Sequence, residues 1–243
     1  MPRLPRFNIV GFPYYIFHKQ NNTKNIFVDA QDFSFYIQKL YEYSNQEYVS
    51  IHAYTLARGQ VHLLATPKKE NGISEMMQHL GRSYARYFNK RYGHRGSVFQ
   101  GRYRSTMVEA ENYLLICQQH IECLPKQFNL CSNPADYTWS SYRHNALGEK
   151  DILLTFHEAY LRLGCTKDER AAAYRQLFNS KSVGQPFKIL NNPTNNSWVL
   201  GNKEFRSLIE TRYSRQAIPK PRGGDRRSKK QDDSNSTAKN ISE

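Results

Sequence analysis

The chain has 243 residues, a formal net charge of +14 and a pI near 9.6. This length is enough for one well-packed core and a smaller appendage. The sequence has no apolar run long enough to cross a bilayer, and the amino-terminal MPRLPRFNIV lacks the apolar stretch of a signal peptide. We therefore expect a protein without membrane contact, located in the cytoplasm and associated with the nucleoid.

The cysteines and the charge narrow the class of protein further. Cys117, Cys123, Cys131 and Cys165 form no C-x-x-C pair, so they predict neither a zinc site nor a disulfide framework. The excess positive charge indicates a polyanionic partner, because basic groups that neutralise phosphates release counterions. The 17 tyrosines and 13 phenylalanines favour nucleic acid, since aromatic rings stack on bases.

The elements follow one another in a recognisable order. A strand is predicted over residues 7–19, interrupted near Gly11 and Pro13, and a helix follows that Asp29 or Asp32 can cap. Strands at 48–56 and 60–65 form a hairpin, and a long amphipathic helix covers 73–91. A fourth strand or extended arm lies at 97–108, and a helix at 110–121 is expected to stop at Pro125. This order predicts an α+β fold, the ferredoxin-like split β-α-β sandwich, with helices on one sheet face and the other face open to a ligand.

We divide the chain into four parts. Residues 1–148 form the main domain, and residues 149–181 form a small helical appendage with capping boxes at Thr155–Glu158 and Thr166–Glu169. Residues 182–213 are a polar connecting segment with a short helix. Residues 214–243 are a basic tail that we expect to be disordered when free.

Candidate phosphate-binding residues lie in three places. Arg82, Arg86 and Lys90 are four residues apart on the long helix and share one face, with Arg91 beside them. The alternative is a solvated face with ordinary solubility charges, but no acidic residue is interleaved. Further candidates are Arg102 and Arg104 in the fourth strand, and Arg222, Arg226 and Arg227 in the tail.

The third strand carries an unusual polar pair. Gln60 and His62 share a face, while Val61 points into the core, because side chains alternate along a strand. Two histidines at this spacing would be half of a divalent-metal site.

Seven motifs follow one another along nearly the whole chain. In order they are GFPYYIFHKQNN, HAYTLARGQVHLLATP, MMQHLGRSYARYFNKRYG, SVFQGRYRS, YLLICQQHIECLP, DYTWSSYRHNALG and PRGGDRRS. With these motifs the sequence resembles the REP-associated tyrosine transposases, a branch of the single-tyrosine HUH transposases. The resemblance implies a catalytic domain that binds single-stranded or hairpin DNA. In that family a His-hydrophobic-His pair and one further polar ligand hold magnesium or manganese, and a helical tyrosine attacks phosphorus.

The chain departs from this pattern at three positions. Gln60 stands where the family has the first histidine, His120 where it has the nucleophilic tyrosine, and Leu124 where it has the third ligand. His62 is then either a surviving metal ligand or an imidazole held by hydrogen bonds to Gln60 and a neighbouring strand. Tyr113, seven residues before His120, is a substitute nucleophile on nearly the same helical face.

Three hypotheses follow. The first is a transposase-like protein, monomer or homodimer, that binds single-stranded or hairpin DNA of the repetitive extragenic type and has an impaired cleavage site. The second is an active metal-dependent enzyme that cleaves and rejoins single strands in DNA transposition, with magnesium or manganese as its cofactor. The third is RNA binding, since the same topology is common among RNA readers.

Overall fold

The computed structural model describes residues 6–21, 25–178 and 198–218. The strands are β1 (Tyr14–Lys19), β2 (Val49–Ala57), β3 (Gln60–Pro67), β4 (Arg104–Val108) and β5 (Val199–Leu200). The helices are α1 (Ala30–Gln46), α2 (Gly72–Tyr92), α3 (Ala110–Gln127), α4 (Tyr142–Leu147), α5 (Glu158–Leu161), α6 (Lys167–Leu177) and α7 (Lys203–Tyr213), with one 3₁₀ turn at Pro134–Asp136. Within these described ranges, no helix combines the length and apolar character that a membrane crossing needs.

The sheet has the order β2-β3-β1-β4-β5. The first four strands are antiparallel to their neighbours, and β5 adds to the edge of β4 in parallel. The arrangement β1-α1-β2-β3-α2-β4, with β1 and β3 in the centre, is the predicted ferredoxin-like sandwich, and the fold prediction is confirmed.

Helices cover both faces of this sheet. On one face, α1 and α2 bury the apolar side chains that alternate along β1 and β3, such as Ile16 and Leu63. On the other face, α3 packs Leu114, Cys117 and Ile121 against Tyr15 and Leu64. The expectation of an open second face was therefore wrong, because the apolar stripe of α3 needs a surface to bury.

Pro125 does not end α3, which continues to Gln127. A proline has no N–H, so it leaves the carbonyl four residues earlier without its helical partner. Here that carbonyl belongs to Ile121, and it accepts a hydrogen bond of 2.7 Å from the Thr55 hydroxyl of β2. The strand thus replaces the missing bond, and the helix tolerates the proline.

The helix starts follow the predictions in two of three cases. Asp29 caps α1 in a capping box with Asp32, and Thr166 caps α6 in a box with Glu169. The box at Thr155 was wrong, since α5 begins later and is capped by the side chain of His157.

The last described segment, residues 198–218, is part of the main domain. Strand β5 extends its sheet, Ile209 of α7 is fully buried in its core, and Ala217 is buried as well. Arg215 lies over the Phe7 ring at 3.6 Å from the centroid. The boundaries at 182 and 213–214 drawn from the sequence therefore change: the polar segment contributes a strand and a helix to the sandwich. The rest of the basic tail, residues 219–243, lies outside the described residues.

Candidate nucleic-acid interface and active-site positions

His62 lies on a central strand, on the face that α3 covers. It is 3% exposed, and the nearest side chains from β1 are Tyr15 and Phe17. The ring centroids of His62 and Phe17 are 4.9 Å apart, and Phe128, just after α3, lies 6.2 Å from His62. The imidazole is enclosed by aromatic rings.

Both ring nitrogens of His62 make hydrogen bonds. Nε2 lies 3.1 Å from Oε1 of Gln60, and Nδ1 lies 2.7 Å from the hydroxyl of Tyr15. An amide oxygen only accepts, so Nε2 donates to Gln60 and Nδ1 accepts from Tyr15. Burial, and then the neighbouring His120, hold the pKa of His62 well below its ordinary value, so the ring is neutral at physiological pH.

Helix α3 brings His120 to the same place. His120 is fully buried, and its ring centroid is 6.0 Å from that of Tyr15. Burial lowers the pKa of His120 to about 4. Tyr113 lies two turns earlier on α3, partly buried against the apolar cluster of this face. The structure thus brings His62 and His120 together around Tyr15, a residue that the sequence analysis did not identify, and Gln60 is hydrogen-bonded to His62.

The donor set does not fit a divalent metal. Leu124, at the third ligand position, is buried and has no donor atom. The one lone pair of the His62 ring is taken by Tyr15, and a hard cation requires several oxygen or nitrogen ligands. In the described parts of the chain, no three His, Cys, Asp or Glu side chains are grouped as a metal site requires.

Glu122, also on α3, joins this helix to α4 and α6. Its carboxylate accepts from the Ser141 hydroxyl at 2.6 Å, from Nδ2 of Asn145 at 2.7 Å and from the Tyr174 hydroxyl at 2.8 Å. Burial raises the pKa of the Glu122 carboxyl to about 7 against these three bonds. The partners come from the start of α4, from α4 itself and from α6, so the cluster holds α3 against these two helices.

The predicted cations on α2 are exposed. Arg82, Arg86 and Lys90 all face solvent, and among the described residues none of the three forms an ion pair. Arg91 differs from them, because it binds Asp29 at 2.5 Å and the fully buried Asp32 at 2.7 Å. Arg91 therefore joins α2 to the start of α1 and is not part of the exposed row.

Arg102, just before β4, and Arg104, its first residue, lie on different parts of the surface. Arg102 is exposed and borders a pocket beside α2, together with Arg82. Arg104 lies over the ring of Phe17 at 5.8 Å, on the sheet face of His62. Arg222, Arg226 and Arg227 lie outside the described residues.

The pocket beside α2 has a volume of about 620 Å³. It lies between α2 and residues 97–103, and His18 and Arg6 also line it. Arg6 donates to the Tyr103 carbonyl at 2.7 Å and lies over the Tyr103 ring. Arg6 and His18 are the lining residues that sequence reasoning missed, since neither stands in a basic row.

The fold of this chain has a counterpart among solved structures. The fold is similar to a REP-associated tyrosine transposase solved bound to a REP hairpin, with a TM-score of 0.53, 13% identity, and coverage of 65% of this chain and 93% of that one. A protein of Deinococcus radiodurans R1 described as a transposase candidate shares 20% identity over 50% of this chain and 96% of its own, but its TM-score of 0.34 is too low for a fold comparison. No curated protein matches this sequence.

Residues 14–123 match the family model of the IS200-like transposases. The match runs from β1 into α3, so this part of the chain is similar to the IS200-like transposase domain. The similarity to the REP-associated tyrosine transposases that the sequence predicted is confirmed at the level of the fold.

Proposed function

We propose that this protein binds single-stranded or hairpin DNA through the exposed face of α2 and does not cleave it by the mechanism of its family. The observation that carries the proposal is the row Arg82, Arg86 and Lys90, exposed and without an acidic partner among the described residues. Cations without partners at helical spacing can each neutralise one phosphate. The related transposase that was solved with a REP hairpin supports DNA as the partner.

The absence of cleavage rests on the interior of the site. Metal-assisted transfer requires a nucleophile, a metal and a phosphate within a few ångströms of one another. His120 is fully buried beneath the sheet face, so a phosphate cannot reach its imidazole. The ring of His62 is hydrogen-bonded at both nitrogens, and Leu124 offers no ligand. The site is therefore packed as a core.

Binding is tested with a labelled DNA hairpin by fluorescence anisotropy over a series of salt concentrations. Arg86→Ala/Lys90→Ala is expected to weaken binding and to flatten the slope of log affinity against log salt by about 1.4, the value for two lost contacts to a single strand. Lys150→Ala/Lys203→Ala removes the same charge from exposed positions elsewhere and serves as the control. Equal losses in both variants would refute a specific role of α2. Competition by RNA of the same sequence decides between DNA and RNA: stronger competition by RNA would exclude DNA as the partner.

Cleavage is tested by incubating the same hairpin with magnesium or manganese and examining a denaturing gel for a covalent protein–DNA adduct. We expect binding without adduct or nicking. An adduct that disappears in His120→Ala or Tyr113→Phe would identify a working nucleophile and make this protein an enzyme.

A further inference from the structure

The aromatic side chains of α4, α5 and α6 form an apolar cluster of their own, apart from the core of the sandwich. Its buried members are Tyr142, Ala146, Tyr160 and Tyr174. The ring centroids of Tyr160 and Tyr174 are 5.4 Å apart, and Phe178 lies 5.4 Å from Tyr174. A separate cluster of this kind can open locally while the main core stays folded.

Two buried hydrogen bonds join α3 to α6. Nε2 of Gln119 donates to the carbonyl of Leu177, at the end of α6, at 2.8 Å, and the Tyr174 hydroxyl donates to Oε2 of Glu122 at 2.8 Å. Gln119 is 3% exposed, and Glu122 is fully buried. Such bonds contribute little net free energy, because each group exchanges a bond with water for a bond within the protein. A change in one of these groups can therefore alter how firmly α6 is held.

Glu122 is a buried carboxyl group without a cation. Its three hydrogen-bond donors, on Ser141, Asn145 and Tyr174, are all neutral, and among the described residues it forms no ion pair. Neutral donors compensate only part of the hydration that a charge loses on burial. The closed arrangement of α3 and α6 therefore favours the protonated carboxyl, whereas water favours the ionised one.

The other groups packed around Glu122 keep their charge near neutral pH. Burial raises the pKa of the acidic groups that face it, which are Tyr54 of β2, Cys123 of α3, Tyr142 of α4, Tyr160 of α5 and Tyr174 of α6. Burial lowers the pKa of His52, His144 and His157, so these rings are neutral at pH 7. Arg170 and Arg175 of α6 remain charged and donate to backbone carbonyls. A change of charge here near pH 7 thus belongs to Glu122.

We propose that α6 is a pH-sensitive latch on α3, closed while Glu122 holds a proton and open more often once Glu122 is ionised. Opening separates the Tyr174 hydroxyl from Oε2 and lets water reach the carboxylate, and the proton of Glu122 passes to solvent. Because α3 carries His120 and covers one face of the sheet, the latch makes the outer support of this helix depend on pH.

The direction of the effect follows from proton linkage. In the open state the pKa of Glu122 is the ordinary 4.5, and in the closed state burial raises it to about 7. Between these values the closed state binds more protons, so a rise in pH shifts the equilibrium toward the open state. The open fraction should therefore rise about tenfold for each pH unit in this interval and level off above pH 7.

Hydrogen–deuterium exchange followed by mass spectrometry measures this opening in the full-length protein. Exchange is recorded from pH 5.5 to pH 8, and each rate is divided by the intrinsic rate of exchange at that pH. Helix α2, on the other face of the sheet, is the internal reference. Glu122→Gln removes the titration, and Glu149→Gln, at an exposed position after α4, is the matched control. Tyr174→Phe is the second variant, which removes one donor and keeps the titrating carboxyl.

We expect the corrected exchange of α6 in the wild type to rise about tenfold for each pH unit up to pH 7, while that of α2 stays constant. Glu149→Gln should follow the wild type, and Glu122→Gln should show no such rise. Tyr174→Phe should exchange faster in α6 at every pH and keep the rise, because the carboxyl still titrates.

Three results would overturn the latch: exchange of α6 that does not vary with pH in the wild type, an equal rise in Glu122→Gln, or a parallel rise in α2 and α6, which would mean unfolding of the whole domain. Loss of α2 protection at pH 5.5 would show that Glu122→Gln does not fold. In that case Tyr174→Phe decides, since α6 exchange equal to that of the wild type at every pH would exclude the bond between Tyr174 and Glu122 as the latch.

Discussion

Replacing Glu122 with glutamine should remove a pH dependence of stability that arises from the burial of this carboxyl group on α3. The buried carboxylate accepts three hydrogen bonds, two at Oε1 from Ser141 and Asn145 and one at Oε2 from Tyr174. A glutamine with its oxygen at the first position keeps two of these bonds, and its amide can donate to the Tyr174 hydroxyl oxygen. The variant therefore preserves the contacts and removes only the titration.

The magnitude follows from the pKa of Glu122, which burial raises from an ordinary 4.5 to about 7. Between these values the native state holds the proton more tightly than the unfolded state, so the free energy of unfolding falls as pH rises. A difference of about 2.5 pH units at about 1.36 kcal/mol each gives about 3 kcal/mol. This stabilisation is fully present below pH 4.5 and is lost above pH 7.

The assay is urea denaturation of the wild type and Glu122→Gln at pH 4.5 and pH 8. The two proteins share all other titrating groups, so the difference between them isolates position 122. We expect Glu122→Gln to gain about 3 kcal/mol relative to the wild type on going from pH 4.5 to pH 8. Glu70→Gln, at an exposed position, controls for the lost charge. A difference between wild type and Glu122→Gln that does not vary with pH would refute the reasoning.

Three further changes have defined outcomes. Tyr15→Phe removes the donor to Nδ1 of buried His62 and should lower the free energy of unfolding by about 1–2 kcal/mol in urea denaturation; no loss would mean that the imidazole needs no partner there. Truncation after Ile218 should leave the melting temperature unchanged, because the described core ends there, and should flatten the salt dependence of hairpin binding by about 0.7 for each tail cation that contacts a phosphate; an unchanged slope would exclude the tail from the interface. Arg91→Ala should cost about 2 kcal/mol by leaving fully buried Asp32 without its cation, with hairpin affinity retained; an affinity loss like that of Arg86→Ala/Lys90→Ala would place Arg91 on the DNA surface instead.

Local patterns in the sequence were sufficient for most of the fold. The apolar stripe of α2 and the alternation along β3 each specify one buried face, because side chains repeat every 3.6 residues in a helix and every two in a strand. The order of these elements then leaves few topologies for a single sheet. Gln60, His120 and Leu124 were also visible in the sequence as departures from the pattern of the family that it resembles.

Contacts between distant residues decided the rest. In the sequence, Pro125 predicts the end of a helix. In the structure, the hydroxyl of Thr55, 66 residues from Ile121, replaces the helical hydrogen bond that the proline removes. Arg91 cannot be told from its basic neighbours by spacing, and only its approach to Asp29 and Asp32 removes it from the exposed row.

The same holds for the buried histidine cluster and for the pocket beside α2. Tyr15 meets His62 across 47 residues of chain, and Arg6 meets Tyr103 across 97. Sequence by itself determined which residue types are available and which elements carry them. The tertiary structure decided which of these residues meet, because burial and hydrogen bonding between distant segments depend on how the sheet and its helices pack.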